Sequence, residues 1–136
     1  MSDTCTILIL DDEPIVGERL KSLLLKEGHM VEVYTDPLKA VNRMEEQEFD
    51  IVISDIRMRE MDGIQVMKHV FQKSKKTKVI LITGYATLEL ARESLTKGAF
   101  DFIAKPFKSK EIRTTINRAV EALKSDQASR TDQQRA

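Results

Sequence analysis

Ile7-Leu8-Ile9-Leu10-Asp11-Asp12-Glu13-Pro14 runs four apolar residues straight into three acids and a proline. An apolar run that does not alternate, and is too short for a helix, reads as a strand buried on both faces. Pro14 suits the first turn of a following helix, where its missing N–H is no loss. The same junction recurs along the chain. Ile51-Val52-Ile53 leads to Asp55, Val79-Ile80-Leu81-Ile82 to Thr83, and Phe102-Ile103-Ala104 to Lys105. As parallel strands of one sheet, these runs place Asp11, Asp12, Asp55, Thr83 and Lys105 outside the strand carboxyl ends, where open α/β sheets form their ligand crevice.

Between the strands lie helix-period segments. Val16, Leu20, Leu23 and Leu24 share a face over Pro14–Lys26, which Gly28 stops. Met30–Tyr34 reads as a second strand. Asp36-Pro37 opens a helix to about Glu46, and Asp62-Gly63 turns into another over Ile64–Gln72, with Met67, Val70 and Phe71 inward. Leu88, Ala91 and Leu95 predict a core-facing stripe on the fourth helix, ended by Gly98. Ser109 is expected to cap the last helix, whose stripe is Ile112, Ile116, Ala119, Val120 and Leu123. Five strands alternating with five helices predict a doubly wound α/β fold with a parallel sheet covered on both faces. Residues 1–124 read as one domain, and Ser125–Ala136, polar and without periodicity, as a tail or linker stub.

The 136 residues suffice for one core, with 41% hydrophobic and 32% charged residues as in a soluble globular protein. No apolar run approaches a membrane span, and Met1-Ser2-Asp3-Thr4 does not start a secretory signal. Cys5, the single cysteine, excludes an intrachain disulfide and fits a cytoplasmic setting. With 22 basic and 22 acidic residues, no global field gathers nucleic acid or anionic lipid. Lys73, Lys75, Lys76 and Lys78 form one local basic run, read as a solvated loop. His29 and His69 lack neighbours at metal-ligand spacing.

Carboxylates crowded together call for a cation, and Mg²⁺ is a hard ion that accepts both carboxylate and phosphate oxygens. Asp55, alone at the end of a central strand, is the better nucleophile, leaving Asp11 and Asp12 to hold the metal. Lys105 would meet the transferred phosphoryl oxygens as a charge clamp, and Thr83 would donate to another.

Asp11-Asp12-Glu13-Pro14, Asp55-Ile56-Arg57-Met58 with Met61-Asp62-Gly63, Thr83-Gly84-Tyr85, and Gly98-Ala99-Phe100-Asp101-Phe102 before Lys105-Pro106-Phe107 together resemble a two-component response-regulator receiver domain. The resemblance covers about Thr6–Leu123 and is similar to receivers preceding ATPase-type or DNA-binding transcription domains, including those of NtrC type. It implies a flavodoxin-like sheet in order 2-1-3-4-5 and a cis Lys105–Pro106 peptide. Asp55 would be phosphorylated by a sensor histidine kinase or phosphotransfer protein. Mg²⁺ would be held by Asp11 or Asp12, by Asp55 and by the Arg57 backbone carbonyl. Phe102 occupies the aromatic switch position, but without the hydroxyl through which a tyrosine reports outward. Arg57 and Tyr85, two residues after Asp55 and Thr83, are expected to overhang the phosphoryl group and slow its hydrolysis. A homodimer through the last two helices and fifth strand is one use of the face that responds. This domain itself is expected to touch neither nucleic acid nor membrane.

Two rival readings carry less. An aspartyl-phosphate phosphohydrolase uses Asp-x-Asp at the nucleophile strand, whereas this chain has Asp55-Ile56-Arg57. A nucleotide-binding module is the weaker reading, since no glycine-rich loop follows the first strand.

Overall fold

A computed structural model describes the backbone of residues 4–135 and the side chains of residues 4–127. Met1-Ser2-Asp3 and Ala136 lie outside the described residues, so the expectation about the leading segment is not addressed. The elements are β1 (Thr6–Leu10), α1 (Pro14–Lys26), β2 (Met30–Tyr34), α2 (Pro37–Glu46), β3 (Ile51–Asp55), α3 (Gly63–Lys73), β4 (Lys78–Thr83), α4 (Leu88–Thr96), β5 (Asp101–Ala104) and α5 (Ser109–Arg135). All strand pairs are parallel and the order is β2-β1-β3-β4-β5, as expected.

The unbroken apolar runs make sense of the two-sided core. Ile7, Ile9, Ile51, Ile53, Ile80 and Ile82 face one layer, where Leu20 and Leu24 of α1 meet Ile112, Ile116 and Val120 of α5. Leu8, Leu10, Val52, Val79 and Leu81 face the other, against α2 and α3. Pro14 and Pro37 occupy first helical turns, and the Asp36 carboxylate accepts the Leu38 N–H at 3.0 Å. Gly28 takes φ 92°, a left-handed conformation that ends α1 cheaply only as glycine. His29 is buried, its Nδ1 accepting the Cys5 N–H at 3.1 Å, a structural role that ties β1 to the turn before β2.

Two expectations need correction. The Leu88–Ala91–Leu95 stripe of α4 does not face the core: Leu88 is 66% and Leu95 49% exposed. Leu90 and Ser94 turn inward instead, and the Ser94 hydroxyl donates to the Leu90 carbonyl at 2.8 Å. Both stripes have helical spacing, so periodicity alone could not choose between them. Ser109 does not cap α5 but is its first residue. Glu111 caps the turn by accepting the Lys108 N–H at 3.0 Å. Beyond Ser125, α5 continues to Arg135. No glycine or proline follows Pro106, and Gln, Ala, Arg and Lys sustain a helix after its apolar stripe has ended. No helix among the described residues is long and apolar enough to cross a membrane.

Candidate functional site

Three strand ends build a cleft at the carboxyl edge of the sheet. At β1 the Asp11 N–H donates to the Tyr34 carbonyl at 3.1 Å, and Asp11 Oδ1 accepts the Glu13 N–H at 2.8 Å. One oxygen thus fixes the turn into α1, which orients the other into the cleft. At β3 the Ile56 N–H donates to Ile82 and the Gly63 N–H to Ile56, each at 2.9 Å. A Cβ on Gly63 would stand 2.5 Å from the Asp55 carbonyl, so only glycine lets α3 begin this close to the strand. At β5 the Lys105 N–H donates to the Thr83 carbonyl at 2.8 Å, and the Lys105–Pro106 peptide is cis, as expected. Arg19 of α1 holds the next turn, its guanidinium 5.1 Å over the Phe107 ring.

Lys105 Nζ lies 2.8 Å from Asp11 Oδ2 and 3.3 Å from both Asp55 Oδ2 and Glu13 Oε1. The contact to Asp11 is a charge contact without hydrogen-bond alignment, which leaves Asp11 Oδ2 buried with no directed donor. Ligand oxygens of Asp11, Asp12, Glu13 and Asp55 all fall within 4.8 Å of one another. One ammonium cannot neutralise four carboxylates, and like charges held this close are costly. A hard divalent cation with oxygen ligands therefore fits this donor set.

The titration behaviour has the same cause. Burial first, then the Asp11 charge, pushes Asp55 up to about 6, against the pull of Lys105. Burial also raises Asp11, although Lys105 is beside it. Burial would lower Lys105, but its contacts with Asp11 and Asp55 outweigh that and raise it.

The structure thus unites Asp11, Asp12, Asp55 and Lys105, and adds Glu13, which the sequence reading passed over although it directly follows the acid pair. Gly63 and Arg19 were also missed as site-shaping residues, because their roles depend on packing. Thr83 is buried at the end of β4. Its Oγ1 accepts the Tyr85 N–H at 3.1 Å, and among the described residues this is its one hydrogen bond. Phe102 is half-buried against the α2/α3 layer, its N–H donating to its neighbour Asp101. The Arg57 guanidinium stacks 5.0 Å over the Tyr85 ring. Both line a cavity of about 680 Å³ that also reaches Asp12 and Arg59.

The sequence matches the model of the response regulator receiver domain over residues 7–117. The chain belongs to that family. Receivers act as phosphoryl-accepting switches in two-component signalling, and they generally bind Mg²⁺ through an acidic cluster. This receiver is 37% identical to the regulatory protein AtoC of Escherichia coli K12, over 85% of its length and 25% of that protein's. It is 31% identical to the response regulator protein TodT of Pseudomonas putida F1, over 88% of its length and 53% of TodT's. The chain therefore spans about a quarter to a half of these relatives. Among solved structures it superposes on the beryllofluoride-activated NtrC4 receiver domain dimer with TM-score 0.83 and 28% identity, covering 87% of this chain and 98% of that one. The CheY-like receiver of Methanospirillum hungatei JF-1 gives TM-score 0.84 and 27% identity, covering 89% and 97%.

Proposed function

We propose that Asp55 is the phosphoacceptor of a cytoplasmic phosphorelay, charged by a phosphohistidine of a sensor histidine kinase or phosphotransfer protein. An Asp55 carboxylate oxygen attacks phosphorus, the N–P bond breaks, and the histidine leaves as neutral imidazole after taking up a proton. Lys105 stabilises charge on the phosphoryl oxygens, as its reach to both Asp11 and Asp55 supports. Asp11, Asp12, Asp55 and the Arg57 carbonyl would hold Mg²⁺, which supplies neutralisation of the carboxylates and phosphoryl oxygens. Thr83 leaves the Tyr85 N–H to donate its hydroxyl to the phosphoryl group, and Phe102 turns into the space vacated. The response is a population shift rather than a catalytic cycle.

The observation that carries this reading is the buried Asp55 carboxylate 3.3 Å from the Lys105 ammonium, with a cluster of acids around it. The receiver unit is read as residues 1–124, joined to a transcription-regulating output in the manner of the AtoC-type relatives. Two copies pair across α4, β5 and α5, where Leu88 and Leu95 stand exposed. Incubation with Mg²⁺ and acetyl phosphate, followed by intact-mass spectrometry, tests the acceptor. One phosphoryl adduct is expected on the wild type and none on Asp55→Asn. An adduct of equal yield on the variant rejects Asp55.

A further inference from the structure

The edge of the sheet opposite the phosphorylation cleft holds a cavity of about 550 Å³, bounded by the ends of α3 and α4 and the starts of β4 and β5. Its walls include the rings of Phe71 and Phe100 and the side chains of Lys75, Lys78 and Lys97. Gly98 is part of the wall, and its φ of 111° is one that favours glycine. A Cβ there would sit 2.9 Å from Phe71, so the backbone lies directly against that ring.

Charge separates this cavity from the others near the site. The two that reach Asp12 are lined by carboxylates as well as by arginines. The Phe71–Phe100 cavity has three lysines in its lining and no carboxylate. Lysines also serve helix carboxyl ends, which carry partial negative charge. At α3 that need is met by Lys73 in the last turn and at α4 by Lys97 at the cap, leaving Lys75 and Lys78 beyond it. Lys75 is exposed with no ion pair among the described residues. Lys78 Nζ bonds the Asp126 carboxylate at 2.7 Å and lies 6.0 Å from the Phe100 ring centroid, and the Arg118 guanidinium stands 5.3 Å from the same centroid, so a base stacking on Phe100 displaces one of these cations. Lys97 pairs with Glu93 at 3.0 Å, an exposed contact of small value.

We propose that this cavity binds a nucleotide-class anion, with its planar base against Phe71 and Phe100 and its phosphate on Lys75, Lys78 and Lys97. The volume falls in the range of about 300–1,000 Å³ usual for small-ligand sites. Aromatic stacking tolerates any base, and ammonium groups serve as point-charge phosphate partners without a glycine-rich loop. A phosphate that takes Lys78 displaces Asp126, so occupancy also loosens the hold on α5 beyond Leu123.

The test is titration of the full ¹⁵N-labelled chain with ADP, without divalent cations, alongside adenosine and pyrophosphate. Saturable shifts are expected at Thr77, Lys78, Gly98 and Ala99, with adenosine and pyrophosphate each binding about tenfold more weakly than ADP. Lys75→Glu with Lys97→Gln should weaken ADP about tenfold, and Phe100→Leu about fivefold. Lys75 and Lys97 are exposed, and thermal melts check that these variants fold. Shifts confined to the Asp55 edge overturn the proposal. So does pyrophosphate binding as tightly as ADP, or an ADP affinity unchanged in the double lysine variant.

Discussion

As the proposed phosphoacceptor, Asp55 would have to be ionised to attack phosphorus, yet its surroundings resist ionisation. Its carboxyl is raised from 3.8 to about 6, so the folded chain holds that proton more tightly than the unfolded chain. The stability contributed by this group is complete below about pH 4 and is lost as pH rises through about 6. Asp55→Asn should therefore stabilise the metal-free protein by about 1–3 kcal/mol at about pH 7.5 and by almost nothing near pH 4. Urea unfolding at the two pH values reads this directly, and an equal gain at both would contradict it. Arg57 and Tyr85 invite a separate kinetic measurement. Their stacked side chains border the cavity next to the cleft, and replacing both with alanine should speed loss of the phosphoryl group about tenfold, equivalent to about 1.4 kcal/mol of barrier. An unchanged half-life in a phosphate-release assay would remove them from the kinetics. Residues of this kind were readable in the sequence because strand ends deliver them. Asp11, Asp12, Asp55 and Lys105 each end an apolar run, and parallel pairing brings such ends together whatever the loops do. The acceptance of the Tyr85 N–H by Thr83 was not readable, since it depends on the turn at Gly84 rather than on the strand.

At the scale of elements, the tightest glycine position among the described residues is at the start of α3. Gly63→Ala must push α3 away from the Asp55 carbonyl or distort β3, and is expected to cost about 1–3 kcal/mol in chemical denaturation. The displaced loop carries Arg57, so adduct formation should slow as well; a stable, fully active variant would show that the loop gives way freely. The strands β1, β3 and β4 were legible because doubly buried runs need no alternation and their ends carry abrupt polar residues. The facing of α4 was not. Leu88, Ala91 and Leu95 are spaced as well as Leu90 and Ser94, and hydropathy favours the first set. The fold chooses the second, with Leu90 against the α2/α3 layer. The Thr87 hydroxyl accepts the Leu90 N–H at 3.1 Å and fixes where the helix begins. A stripe of leucines that the chain does not cover itself is a surface, not a core.

That surface belongs to the whole molecule. Leu88 and Leu95, one face of α4, are 66% and 49% exposed, on a helix that packs beside β5. Leu88→Glu with Leu95→Glu should weaken self-association of the phosphorylated chain by about tenfold, measured by sedimentation, while leaving the monomer's melting point within a degree or two. Identical association constants for the two proteins would locate the pairing surface elsewhere. The layer shared with α1 is organised by α5. Its apolar stripe fills the space over β1, β3 and β4 as far as Val120, and Lys78 then grips Asp126. The helix rises near the Phe107 turn, a few residues from Lys105, and keeps going to Arg135. At about 1.5 Å per residue it is a rod of about 40 Å. A tilt of about five degrees at its root, too slight to disturb the sheet, would carry its far tip sideways by about 3 Å. Leverage of that sort turns a subtle change beside Lys105 into a displacement large enough to make or break a packed contact.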